Sequence, residues 1–101
     1  MDPALPDLQI ADVVTSTAGR DKDKWFYVLD LDETYLYLVN GKDRTLENPK
    51  QKKRKHAQKV LRSETRVAER LRLGDKVLNS ELRRDLAYLS REMLSNNLGG
   101  F

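Results

Sequence analysis

Asp30 and Asp32 stand two residues apart at the end of an apolar run, with Thr34 two further on. A carboxylate can attack phosphorus and a second one can handle the proton, provided a divalent cation neutralises the charge between them. A second feature is cationic: Lys50, Lys52, Lys53, Arg54 and Lys55 fall within six positions. Such a run suits a polyanion, because each neutralised phosphate releases condensed counterions. A third set, Arg20, Lys22 and Lys24 beside Gly19, is interleaved with Asp21 and Asp23. Glycine there would let a loop turn and keep its amides accessible. The chain has no cysteine, which excludes disulfides, thiolate zinc sites and cysteine nucleophiles. His56 is the only histidine and has no triad or ligand partners near it. The residues therefore imply no cofactor and no metal site.

The formal charge of +3 averages over three unlike segments. Residues 1–40 hold three basic against eight acidic side chains, a net of −5. Residues 42–72 hold twelve against four, a net of +8, and residues 73–101 balance at four each. Like charges gathered in one block stay solvated and often act as interaction surfaces. No apolar run approaches the ~20 residues needed to span a bilayer. The N-terminus, with Asp2, Pro3, Pro6 and Asp7, lacks the basic and apolar regions of a signal peptide. A cytoplasmic protein without membrane association is expected.

The elements that must position these residues are strands first and helices second. Leu8 to Thr15 carries Ile10, Val13 and Val14. Trp25 to Leu31 alternates, with Trp25, Tyr27, Leu29 and Leu31 on one face and Phe26, Val28 and Asp30 on the other. Thr34 to Val39 puts Leu36 and Leu38 opposite Tyr35, Tyr37 and Val39. Asp32-Glu33 joins these two strands, and Asn40-Gly41 signals a tight hairpin. A fourth strand is expected around Asp43 to Leu46, with Pro49 then opening the basic segment. His56 to Leu61 reads as the last strand. Five short strands joined by tight turns predict a small closed or half-closed barrel.

After Arg62 the period changes. Ser63 is the expected N-cap of a helix reaching about Arg72, with Gly74 as its C-cap. Asn79 or Ser80 should cap a second helix whose stripe is Leu82, Leu86, Leu89 and Met93. Intramolecular packing of that stripe is favoured, since a helix of this length is marginal alone. Order is expected to fade at Asn96, Asn97, Gly99 and Gly100.

Tyr27 to Thr34 resembles the first signature of haloacid-dehalogenase-type phosphatases, an apolar strand ending in Asp-x-Asp-x-Thr. That resemblance implies Asp30 as nucleophile and Asp32 as acid/base. Such enzymes need a parallel α/β sheet, however, and about 67 residues after Thr34 are too few for its crossovers. The plainer reading makes Asp32 and Glu33 turn residues.

Residues Ile10 to Gln58 resemble the KOW-domain RNA-binding proteins, in particular bacterial relatives of the fourteen-e type large-subunit ribosomal protein. The likeness rests on Ala11 to Lys24 with Gly19 in its turn, on Leu38 to Lys50, and on Lys53-Arg54-Lys55-His56. Leu78 to Arg84 resembles the short C-terminal helix of the bacterial members. Many KOW loops carry a second glycine where this chain has Asp23. The resemblance implies a mainly β fold: an SH3-like (KOW) barrel over 1–62 followed by a two-helix C-terminal appendage over 63–101. It implies RNA binding, ribosomal or translation-associated, with ribosomal proteins as further partners and no chemistry of its own. The expected contacts are Gly19, Arg20, Lys22, Lys24, Lys50, Lys52, Lys53, Arg54 and Lys55, in a monomer. An SH3-like protein–protein module and the phosphatase stay open as alternatives. Trp25, Tyr27, Tyr35 and Tyr37 are expected in the core more than in stacking roles.

Overall fold

A computed structural model describes residues 7–98. Five strands, β1 (Asp12–Ser16), β2 (Trp25–Leu31), β3 (Tyr35–Val39), β4 (Lys50–Lys53) and β5 (Ala57–Arg62), precede helices α1 (Arg66–Leu73) and α2 (Asn79–Leu98). The strands form one antiparallel sheet in the order β4-β3-β2-β1-β5. The first four strands pair as a meander. A single 3-10 turn at Arg54–His56 then carries the chain from β4 to β5, which pairs back onto β1. β4 and β5 are thus the edges of an open sheet.

The five strands and two helices match expectation in number, but the fourth strand does not lie at Asp43 to Leu46. Asn40 instead opens a longer excursion, accepting at Oδ1 from the amides of Lys42 and Arg44, each at 3.0 Å. An Asx-type turn of this kind offers the backbone an alternative to strand pairing. The ladder resumes only after Pro49, so the basic segment itself is β4. Its lysines lie across from Tyr35, Leu36 and Leu38, with Gln51 across from Tyr37.

The centre of the sheet is buried on both sides. Phe26, Val28, Leu36, Leu38, Val14, Ala57 and Leu8 form one apolar cluster. Tyr27, Val13 and Val39 face the other way and pack with Ala68, Leu71, Val77, Leu82 and Leu86. The helices are therefore a lid on the sheet. A bulge between Val28 and Asp30 changes the register. One extra residue on a strand reverses which face its later side chains occupy. Leu31 consequently joins Phe26 and Val28, and Asp30 pairs with Tyr37, the reverse of simple alternation along β2.

Polar residues lock the lid. Buried Tyr27 meets Asp85 of α2 through its hydroxyl and lies 2.9 Å from Ser63 Oγ. Thr65 donates to the same Asp85 oxygen at 2.8 Å. Thr65, rather than Ser63, caps α1, its Oγ1 accepting from the Ala68 amide at 3.1 Å. Ser63 is taken up by the tyrosine network two residues earlier. Gly74 ends α1 in the left-handed conformation (φ 74°), as expected. Arg70 of α1 pairs with Glu81 of α2. Leu82 and Leu86 are buried and Leu89 and Met93 half-buried, so the stripe packs within the chain. α2 continues through Asn96 and Asn97 to Leu98, beyond the expected fading of order; Gly99 and Gly100 lie outside the described residues.

Candidate nucleic-acid interface

The first basic loop and β4 are far apart in sequence but meet in space. On β4, burial alternates: Lys50 and Lys52 are half-buried, while Gln51 and Lys53 are exposed. Lys50 and Lys52 share the side of Leu36 and Leu38, and their stems extend toward the β1–β2 loop. Lys52 Nζ donates to the Ala18 carbonyl at 3.0 Å, and Lys50 Nζ pairs with Asp21 at 3.2 Å. Asp21 is only 8% exposed, so its carboxylate is shielded from solvent while Lys50 stays half-buried. Long stems bury while the charged head finds a partner, which is how cations serve in a strand with no apolar residue.

The loop itself is tightly wound. Gly19 has φ 81° and Asp23 φ 69°, both left-handed. Asp23 thus takes a conformation that glycine adopts freely and aspartate at some cost. Its amide donates to the Ser16 carbonyl at 2.9 Å, and the Lys24 amide donates to the Asp21 carbonyl at 3.0 Å. A Cβ at Gly19 would lie 3.7 Å from Lys52 Nζ, so the turn sits against β4.

Apart from Gly19, the expected contact residues are eight cations, which divide into two groups. Lys24 pairs with Asp43 at 3.0 Å, Lys50 with Asp21, Lys52 with a carbonyl, and Arg54 donates to the Asp32 carbonyl at 2.8 Å. Arg20, Lys22, Lys53 and Lys55 are exposed, and among the described residues none of these four forms a salt bridge. The first group builds the surface and the second is available to a ligand. Beside Lys53, Arg54 and Lys55, Glu33 and Thr34 complete a groove of about 300 Å³.

Of the arginines spaced four apart from Arg62, two are used internally, while Arg66 between them is exposed. Arg62 pairs with Glu64 at 2.8 Å and Arg70 with Glu81. Lys59 reaches Asp12, which is fully buried, at 3.2 Å. Nothing in the local sequence around Lys59 points to that pairing.

Asp30 and Asp32 both accept hydrogen bonds from backbone amides beside them in the chain. Asp32 Oδ1 accepts from the amides of Thr34 at 2.8 Å and Tyr35 at 2.7 Å. Those two bonds, the Tyr35 one first, hold its carboxyl below the usual aspartate range. It closes the β2–β3 turn. Asp30, exposed, accepts at Oδ1 from the Leu31 amide at 2.8 Å. The strand carrying them turns back into an antiparallel partner, where phosphoryl transfer of this type would need a parallel sheet. Among the described residues no cluster of three or more acidic or histidine side chains could hold a metal ion.

Of the four aromatic residues, Tyr27 is core and Trp25 is half-buried against the helix-side cluster. Tyr35 and Tyr37 are half-buried. The Leu36–Leu38 alternation puts both tyrosines on the same face as buried Val39, and only the limit of the helix cover, which contains Val39 but neither tyrosine, separates them from it. Among the described residues no helix is long and apolar enough to cross a membrane. No family model matches the chain, and no curated protein matches it in sequence.

Proposed function

We propose that the protein is a non-catalytic RNA-binding protein of the SH3-like, KOW type, associated with the ribosome or translation in the cytoplasm. The strand order supports the SH3-like reading: a four-strand meander, a single 3-10 turn, and a fifth strand returning to the first. The observation that carries the functional reading is the junction of Lys52 with Ala18 and of Lys50 with Asp21. It brings two basic segments together at one edge of the sheet. Among the described residues Arg20 and Lys22 stand unpaired on the loop, as do Lys53, on the Tyr35 side of β4, and Lys55 after the junction. Gly19 shapes the turn, and Lys24, Lys50, Lys52 and Arg54 brace it. A surface of unneutralised cations recognises the phosphate backbone by charge and is indifferent to sequence. Ribosomal proteins beside that RNA would be secondary partners.

Crosslinking in cells followed by sequencing of the attached RNA tests this reading. Enrichment of ribosomal RNA is expected, and recovery of no RNA above an uncrosslinked control would overturn it.

A further inference from the structure

Tyr35 and Tyr37 alternate with buried Leu36 and Leu38 along β3. Residues two apart in a strand project on one face, about 6–7 Å apart. Across the ladder, Lys53 is opposite Tyr35 and Gln51 is opposite Tyr37. Gln51 Nε2 donates to Tyr37 Oη at 3.2 Å, fixing that ring by its hydroxyl. On the other side Asp30 pairs with Tyr37. The patch therefore has a polarity: aromatic rings in the middle, carboxylate along β2, and cations along β4 continuing into the groove of Lys53, Arg54 and Lys55. Two rings side by side, one of them anchored, beside the cations of β4 match what an unpaired nucleotide offers, a flat π-face joined to a negative backbone. A duplex hides its base faces and can use only the cations.

Resting on the RNA-binding reading above, we infer that the helix-side face of the β3–β4 hairpin, where it extends past the helix cover, is a stacking platform for unpaired RNA bases. Tyr35 and Tyr37 each take a base, while Lys53 and Lys55 take the adjoining phosphates. Asp30 repels phosphate, so the strand's backbone runs along β4 with its bases turned toward β2.

The test uses the full chain with two probes, a ten-nucleotide oligouridylate and a ten-base-pair RNA duplex. The double variant Tyr35→Leu/Tyr37→Leu keeps an apolar side chain at each position while removing the rings and the Gln51 hydrogen bond. It should lower affinity for the single strand by about tenfold or more, from the loss of stacking on two bases. Duplex binding should stay within about twofold, because its contacts are phosphate contacts. Tyr35→Phe/Tyr37→Phe should recover most of the single-strand affinity. Independently of any variant, oligouridylate should shift the Tyr35 and Tyr37 ring-proton resonances of the unaltered protein. Undiminished single-strand binding by the leucine variant, or unmoved ring resonances while Lys53→Gln/Lys55→Gln weakens both probes, would overturn the platform and leave RNA binding intact. Failure of the unaltered protein to bind either probe at low salt would overturn both.

Discussion

Val39 and Tyr37 lie two residues apart on the same face of β3, yet their surroundings share almost nothing. Val39 is fully buried beside Tyr27, Leu82 and Leu86, where every turn of α2 adds apolar cover. Tyr37 stands past the edge of that cover, among Gln51, Asp30 and the cations of β4. In the covered half, polar groups are satisfied by one another: Tyr27, Asp85, Thr65 and Ser63 close a network with no outside partner required. In the open half, Arg20, Lys22, Lys53 and Lys55 form no salt bridge among the described residues. The difference teaches where stability and recognition reside. Burial of the helix lid holds the sheet together, and that frees the hairpin edge to carry groups that contribute little to folding. β4, an edge strand of lysines and glutamine, also discourages edge-to-edge pairing with other chains.

The largest effect expected from breaking this division is at Gly41. Its φ is 77°, and a Cβ there would lie 2.1 Å from the Asn79 carbonyl oxygen at the start of α2. Gly41→Ala should therefore cost about 3–5 kcal/mol in urea unfolding, combining left-handed strain with overpacking against backbone. RNA affinity per folded molecule should hold.

Tyr27→Phe comes next, at about 1–2 kcal/mol, since Asp85 loses one donor in a buried site but keeps Thr65. The same substitution sharpens a pH effect. Burial, followed by the Asp85 hydrogen bond, raises the Tyr27 hydroxyl well above its ordinary pKa of 10.0. An acid whose neutral form is favoured in the fold adds stability that is fully present below the unfolded pKa and is lost as pH rises above it. Unfolding midpoints of the native protein should therefore drop above pH ~10, and Tyr27→Phe should flatten that drop.

Within β4 the two kinds of lysine should separate. Lys50→Gln leaves shielded Asp21 without its partner and should cost about 1–2 kcal/mol. Lys53→Gln should change stability by less than about 0.5 kcal/mol while weakening RNA binding. Equal effects of the two on stability would erase the distinction between bracing and free cations. Smallest of all, Asp23→Gly should gain about 0.5 kcal/mol by relieving a left-handed backbone at φ 69°.

β2 and β3 were legible because their apolar residues alternate and turn residues bracket them. β4 was not, since Lys50-Gln51-Lys52-Lys53 has no apolar period at all. Its half-buried positions depend on Ala18 and Asp21, some thirty residues upstream, which no local pattern can register. The β2 bulge had the same effect on a smaller scale, sending Leu31 to the opposite face from the one alternation assigns. The α1 cap slipped from Ser63 to Thr65 because Ser63 answers to Tyr27, a partner thirty-six residues away. For the candidate site, the basic residues were readable from composition. Which of them are free depended on tertiary pairing, and the outward pair Tyr35 and Tyr37 emerged only once the lid's limits were known.

The central claim is that the unpaired cations of the two joined basic segments meet RNA phosphates. The most direct measurement is the salt dependence of oligouridylate binding, comparing the unaltered protein with Arg20→Gln/Lys22→Gln/Lys53→Gln/Lys55→Gln. Each phosphate contact contributes about 0.7 to the slope of log affinity against log salt for single strands. If all four contact phosphates, the quadruple variant should be shallower by up to about 3 with its unfolding midpoint little changed. An unchanged slope in a folded variant would contradict the account.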